Sequence, residues 1–274
     1  MAGTFDADHV ASFFDAYGER EWDRHDASAG ARVSFELHCD LLREHVRSGD
    51  LVLEAGAGPG RFTIELARLG ARVHVGDLSE GQLALNAERV AAAGCEGAVV
   101  ARERLDVCDL APLEDGAFDA VVCFGGPLSY VRDRAAEALA ELVRVTRSGG
   151  HVFLGVMSLA GATRAFLTWV LEEQRRFGAG HVERVLATGD LDRATNQGHE
   201  LHLFTSAELR ALVGVHGEVV AASAANFLTA TPGGTADEVD GAERDALLAW
   251  ERRLCREPGV LDGGTHLLMA LRVP

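Results

Sequence analysis

The sequence predicts an α/β fold built on a mostly parallel sheet with helices on both faces. Three observations carry this. Apolar, strand-like runs alternate with helical runs, as in a sheet whose strands are joined by crossover helices. A glycine-rich turn follows the first of those runs, and no internal repeat or low-complexity linker interrupts the order. A chain of 274 residues suits one large domain with insertions.

The segment before residue 49 reads as helical, so 1–48 is expected to be an N-terminal helical gate and 49–274 the core. LVLEA (51–55) is the first strand. After the turn, a helix is expected over about 60–69 and a second strand over 71–76. Residues 80–93 are helical by their alanine content and the spacing of Leu83, Leu85 and Val90. Strands follow at 98–105 and 118–124, then a helix over 133–145 with Leu139, Leu142 and Val143 on one face, and a strand over 149–157. Residues 161–186 read as helical, and 205–213 as a helix with Ser206 as its N-cap. Two last strands are expected at 217–227 and 265–272. Insertions forming a lid are expected at about 158–200 and 228–264, the second packed down by Trp250.

The formal charge is −16, from 26 basic and 42 acidic residues. A field of that sign repels nucleic acid and anionic membranes, which disfavours both as partners. No apolar run reaches the ~18 residues of a membrane span, and the N-terminus lacks the basic start of a signal peptide. The expected compartment is the cytoplasm. The five cysteines form no CxxC pair, Cys123 reads as a plain buried thiol, and no HExxH pattern occurs, so no metal site is expected.

VLEAGAGPGRF (52–62) carries the chemistry. Gly56, Gly58 and Gly60 alternate between a strand and a helix, where a ligand approaches the backbone closely. The second strand leads to Asp77, placed to accept hydrogen bonds from ribose hydroxyls, and the third ends near Asp106 and Asp109, where a carboxylate can accept from an adenine amino group. These features fit an adenosine-containing cofactor. The dinucleotide fingerprint is GxGxxG, whereas the spacing here is GxGxG with Glu54 beside it. That carboxylate suits a cationic methionine tail better than a pyrophosphate.

VLEAGAGPGRFTIELA resembles the first motif of class I S-adenosylmethionine-dependent methyltransferases, VHVGDLSEGQL the second, LEDGAFDAVVCFGGPLSYV the fourth-strand motif, and ALAELVRVTRSGGHVFLGV the helix and strand after it. The resemblance implies a Rossmann-like sheet of seven strands, the last antiparallel, and S-adenosylmethionine as cofactor. By similarity Gly56, Gly58 and Gly60 line the methionine and ribose, and Glu54 orders the loop and the amino group. Asp77 binds the ribose hydroxyls and Leu78 packs on adenine. Asp106 with the Val107 N–H reads the adenine edge, and the backbone at Phe124 faces the amine. YGEREWDRHDASAGAR is similar in order, with shorter spacing, to the N-terminal segment of glycine N-methyltransferases, which implies that Tyr17 and Trp22 close over the methionine tail and Arg32 pairs with its carboxylate.

Methyl transfer needs an in-line nucleophile and a general base only when that nucleophile arrives protonated. His25 is the first candidate for such a base, with Asp26 beside it, and Tyr130 lies near the transferred methyl by analogy. Phe166, Trp169 and Phe177, beside Arg164, Arg175 and Arg176, either line an acceptor pocket or belong to the core. The expected activity is methyl transfer to an O or N atom of a small molecule, by a monomer or homodimer. The competing readings are an NAD-dependent oxidoreductase and a non-catalytic cofactor-binding protein of the same fold.

Overall fold

A computed structural model of the chain describes residues 5–196, 198–231 and 235–274. Three helices precede the first strand: α1 (Ala7–Tyr17), α2 (Arg20–Asp23) and α3 (Ala29–His45). The core then runs β1 (Leu51–Ala55), α4 (Arg61–Arg68), β2 (Arg72–Asp77), α5 (Glu80–Ala92), β3 (Val99–Arg104), β4 (Phe118–Cys123), α6 (Pro127–Tyr130), α7 (Ala135–Val145) and β5 (Thr146–Met157). A helical insertion follows, α8 (Leu159–Ala165), α9 (Leu167–Phe177) and α10 (Ala179–Thr188), closed by a two-stranded ribbon, β6 (Asp190–Leu191) with β7 (Leu201–His202). The chain ends with α11 (Ser206–Val213), β8 (Glu218–Ala224), α12 (Gly241–Leu254) and β9 (His266–Arg272).

The main sheet has the order β3-β2-β1-β4-β5-β9-β8. The first five strands pair in parallel, and β9 runs antiparallel to both β5 and β8. All seven strands lie where the apolar runs place them, within a few residues. Central strands are covered on both faces and therefore read as nearly continuous apolar runs, as LVLEA and FDAVVC do. One face packs α7 and α11 through Leu139, Leu142, Leu209 and Val213. The other packs α3, α4 and α5 through Leu37, Leu41, Leu66 and Leu83. Strand order reverses between β1 and β4, and in such sheets the crevice at the carboxyl ends of the strands, at that reversal, receives the ligand.

The structure corrects three expectations. The helical run 161–186 is three helices, broken at Phe166 and at Gly178, whose φ is +87°. Thr205, not Ser206, caps α11, its side chain accepting from the Glu208 N–H, while the Ser206 hydroxyl donates to Asp262. Trp250 is 58% exposed rather than packed down, on a helix, α12, that lies along α3 with Arg252 paired to Asp40. No helix among the described residues is long and apolar enough to cross a membrane.

Candidate functional site

The turn after β1 is held from below. Glu54 is buried, and Thr63 Oγ1 donates to its Oε2 at 2.6 Å. Asn86 Nδ2 donates in turn to Thr63 Oγ1 and to the Gly58 carbonyl. Gly56 has φ +80°, and a Cβ there would stand 2.4 Å from Pro127. Gly60 has φ +98° and packs on Val90 and Asn86. The three glycines thus divide their work: Gly56 and Gly58 face a cavity, and Gly60 seats the turn on α5.

That cavity lies over the carboxyl ends of β1, β2 and β4. Leu78, Leu105 and Val107 form an apolar wall near Asp77, and Phe124, Gly125 and Tyr130 lie on its β4 side. The Asp77 carboxylate accepts from the Gly58 N–H at 2.8 Å and the Ser79 N–H at 2.9 Å. A carboxylate has about four lone-pair sites, so two remain for a ligand's hydroxyls. Burial, with Glu21 and Asp15 nearby, raises the Asp77 pKa to about 6 despite those two N–H donors. Burial, with Asp77 adding repulsion, raises that of Glu54 to about 8.

The N-terminal helices form the cavity's roof. Asp15 accepts from the Ser79 hydroxyl and the Gly81 N–H, and Gln82 Nε2 donates to the carbonyls of Phe14 and Gly18, which fixes α1 to the start of α5. Glu21 lies over Gly58, and its ion-pair partner Arg24 lies against Gly125. Arg24 is therefore the arginine of the segment that lines the cavity. Arg32 does not: it is exposed and donates to the Asp26 carbonyl. Trp22 is also displaced from the expected place. It packs against the guanidiniums of Arg61 and Arg89, 4.1 and 5.3 Å from its ring. Tyr17 stacks on Phe13 beneath Arg20 and lies outside the cavity wall. Asp106 likewise lies outside the cavity lining, accepting from the Cys108 N–H, while Val107 is in it.

His25 lines the same cavity, packed against Phe35 and Phe62. Burial and the Arg24 charge hold it far below the usual histidine range, so its ring is neutral. His38 and His266 lie nearby and are pushed down to about 4 and about 3, chiefly by burial. His25 does not reach the second cavity, whereas Tyr130 lines both. Burial, with Glu21 nearby, holds the Tyr130 phenol above its usual pKa, so it stays protonated at neutral pH.

The second cavity lies under α8, α9 and α10. Phe166, Trp169, Val170, Val182, Val185 and Leu203 give it an apolar lining. Phe177 is outside it, packed on His181. Arg164 fastens the insertion by donating to the Phe227 and Gly263 carbonyls at 2.8 and 2.6 Å.

Residues 52–150 match the family model described as a methyltransferase domain. The chain is 36% identical over 147 residues to a demethylmenaquinone methyltransferase of Thermobifida fusca (strain YX), covering 53% of this chain and 59% of that protein. It is 31% identical over 181 residues to a ubiquinone biosynthesis O-methyltransferase of Xanthomonas oryzae pv. oryzae (strain PXO99A), covering 64% and 69%. The match to the Thermobifida protein thus spans less than two thirds of that relative's length. In fold it is similar, at 20% identity and a TM-score of 0.56, to the Burkholderia thailandensis 1,6-didemethyltoxoflavin-N1-methyltransferase solved with bound 1,6-didemethyltoxoflavin and S-adenosylhomocysteine, covering 97% of this chain and 88% of that one. The chain belongs to the class I S-adenosylmethionine-dependent methyltransferases. S-adenosylmethionine is the cofactor of that family, which answers the dinucleotide alternative.

Proposed function

We propose that this chain transfers a methyl group from S-adenosylmethionine to an O or N atom of a small molecule by in-line displacement. One observation carries the reading: Tyr130 lines both the glycine-turn cavity and the apolar cavity of the insertion. A cofactor beside an acceptor is the geometry that a displacement requires.

The residues of the first cavity fit the cofactor. Asp77 would hold the ribose, Leu78 and Val107 the adenine, and Arg24 the carboxylate of the methionine tail, with Gly56 and Gly58 letting the backbone approach. Glu54, Gly60 and Asp106 would act from behind, keeping the wall in shape. When bound, the cofactor supplies an electrophilic methyl group. The chain's own part is to orient, to exclude water and to leave the acceptor atom free. α1 and α2 serve as the gate, and neutral His25 serves as wall rather than base, since it does not reach the acceptor side. Tyr130, protonated, donates or accepts a hydrogen bond at the junction. The relatives named for demethylmenaquinone and ubiquinone biosynthesis agree with an apolar ring as acceptor, and the net charge of −16 favours a small molecule over nucleic acid.

Calorimetry with S-adenosylhomocysteine tests the cofactor half. Binding is expected, weakened roughly ten-fold or more in Asp77→Ala through loss of charge-assisted hydrogen bonds. Absence of binding, or binding untouched by that substitution, would refute it. Transfer of labelled methyl to quinol-type phenols and aryl amines tests the acceptor half.

A further inference from the structure

The inner stripe of α9 contains a residue that packing does not explain. Phe166, Trp169, Val170 and Glu173 follow one another at helical spacing and all line the apolar cavity. The first three suit that lining, but Glu173 is only 6% exposed and carries a carboxylate. Its neighbours Glu172, Gln174, Arg175 and Arg176 all face solvent. Across the cavity wall, α10 presents His181, with Nε2 3.6 Å from Glu173 Oε2. Arg184 lies 3.4 Å from the other ring nitrogen, His181 Nδ1, so Nε2 is the nitrogen that faces Glu173.

Two ordinary roles fail. A pair that merely tied α9 to α10 would close to ~2.7–3.2 Å, whereas Glu173 Oε2 has no hydrogen-bond partner among the described residues. Buried Glu251 shows what a structural carboxylate looks like in this chain. It accepts from the Phe227 and Thr229 N–H groups and from the Thr229 hydroxyl. A buried carboxylate without such donors is costly, and here it opens onto an apolar cavity that Tyr130 also lines.

We infer that Glu173, beside His181, is the polar recognition point of the acceptor cavity. It takes a largely apolar molecule that carries one hydrogen-bond donor, a hydroxyl or an ammonium group. This rests on the reading of that cavity as the acceptor site. Carboxylate oxygens accept hydrogen bonds, so the site selects a donor, and the apolar lining selects the body that carries it. Glu173 is thus a specificity-determining residue, not a catalytic one.

Equilibrium dialysis of the full chain against naphthalene, 2-naphthol and 2-naphthylmethylamine tests this, with and without S-adenosylhomocysteine. At least one donor probe is expected to bind the wild type roughly ten-fold tighter than naphthalene. Glu173→Leu should abolish that preference while leaving naphthalene binding unchanged or tighter. Glu173→Gln should keep preference for the naphthol and lose any for the amine. The two donor probes distinguish hydroxyl from ammonium. No binding of any probe, equal binding of all three to wild type, or a preference that survives Glu173→Leu would each overturn the proposal. S-adenosylhomocysteine affinity is expected to be equal in the three proteins, which shows that the variants fold. If wild type failed to bind it, the cofactor reading would fall, while dialysis without it would still report on the insertion cavity.

Discussion

Glu54 and Asp77 end neighbouring strands, and burial moves both titrations toward neutral pH, to about 8 and about 6. The signs follow from linkage. A carboxyl whose folded pKa is raised keeps its proton in the folded state after the unfolded chain has released it, so stability falls as pH rises between the two values. For Glu54 that window runs from 4.5 to about 8. Thermal unfolding of Glu54→Gln should match wild type below pH 4.5 and exceed it above pH 8, by about 1–3 kcal/mol; equal curves at pH 9 would refute the assignment. For Asp77 the consequence lies in binding. The protonated carboxyl is a weaker acceptor for hydroxyls, so S-adenosylhomocysteine affinity should drop as pH falls through about 6, and Asp77→Asn should remove that dependence. Arg24→Ala should weaken the same ligand roughly ten-fold, with Arg32→Ala nearly neutral in the same titration. The sequence made the strand-end carboxylates legible because strands fix where side chains fall. It did not make Arg24 legible. α2 is only four residues long, and its rotation, which turns Glu21 and Arg24 inward and Trp22 outward, is set by contacts with Arg61 and Arg89.

Elements were legible in proportion to the regularity of what covers them. The seven strands and α4, α5 and α7 follow from period, because each packs on the sheet with one face. The insertion was not, because its apolar residues divide between a small core of their own, Val185, Leu191, Leu201 and Leu203 with Trp169 packed on it, and the wall of a cavity, so no single period marks its breaks at Phe166 and Gly178. Glu173 left a signal, an acid four residues after Trp169 on an otherwise apolar stripe, readable only once the stripe's partner is known. The insertion's anchorage gives a prediction. A Cβ on Gly161 would stand 1.6 Å from the Gly264 carbonyl, a backbone atom that cannot swing aside. Gly161→Ala should therefore lift α8 off its seat, lowering stability by about 1–3 kcal/mol in denaturant unfolding and loosening the cavity. An unchanged midpoint would mean that α8 is not seated there. α1 is anchored by polar groups instead. Asp15→Ala removes the bonds to Ser79 and Gly81 and should speed release of S-adenosylhomocysteine, roughly ten-fold in stopped-flow, with little change in melting.

Across the whole molecule, two electrostatic effects oppose one another. Many surface carboxylates are paired with arginine, as in the group formed by Arg43 and Arg252 with Glu36, Asp40 and Glu65. Yet 42 acidic residues face only 26 basic ones, so a surplus of −16 remains after every possible pairing. Exposed pairs contribute ~0–1 kcal/mol each and are screened by salt. The surplus repels itself over the whole surface, and this is screened too, with a Debye length falling from ~30 Å at 0.01 M to ~8 Å at 0.15 M. The two effects carry opposite signs, so the salt dependence of stability decides which is larger. Loss of short-range pairs alone would lower the melting temperature as salt is added. Pairs at bonding distance lie well inside the Debye length throughout that range, whereas repulsion between patches across the molecule does not. Sodium chloride between those two concentrations should therefore raise the melting temperature, by about 2–4 °C for a gain of ~1 kcal/mol at this size. A fall would mean that the arginine pairs outweigh the net charge.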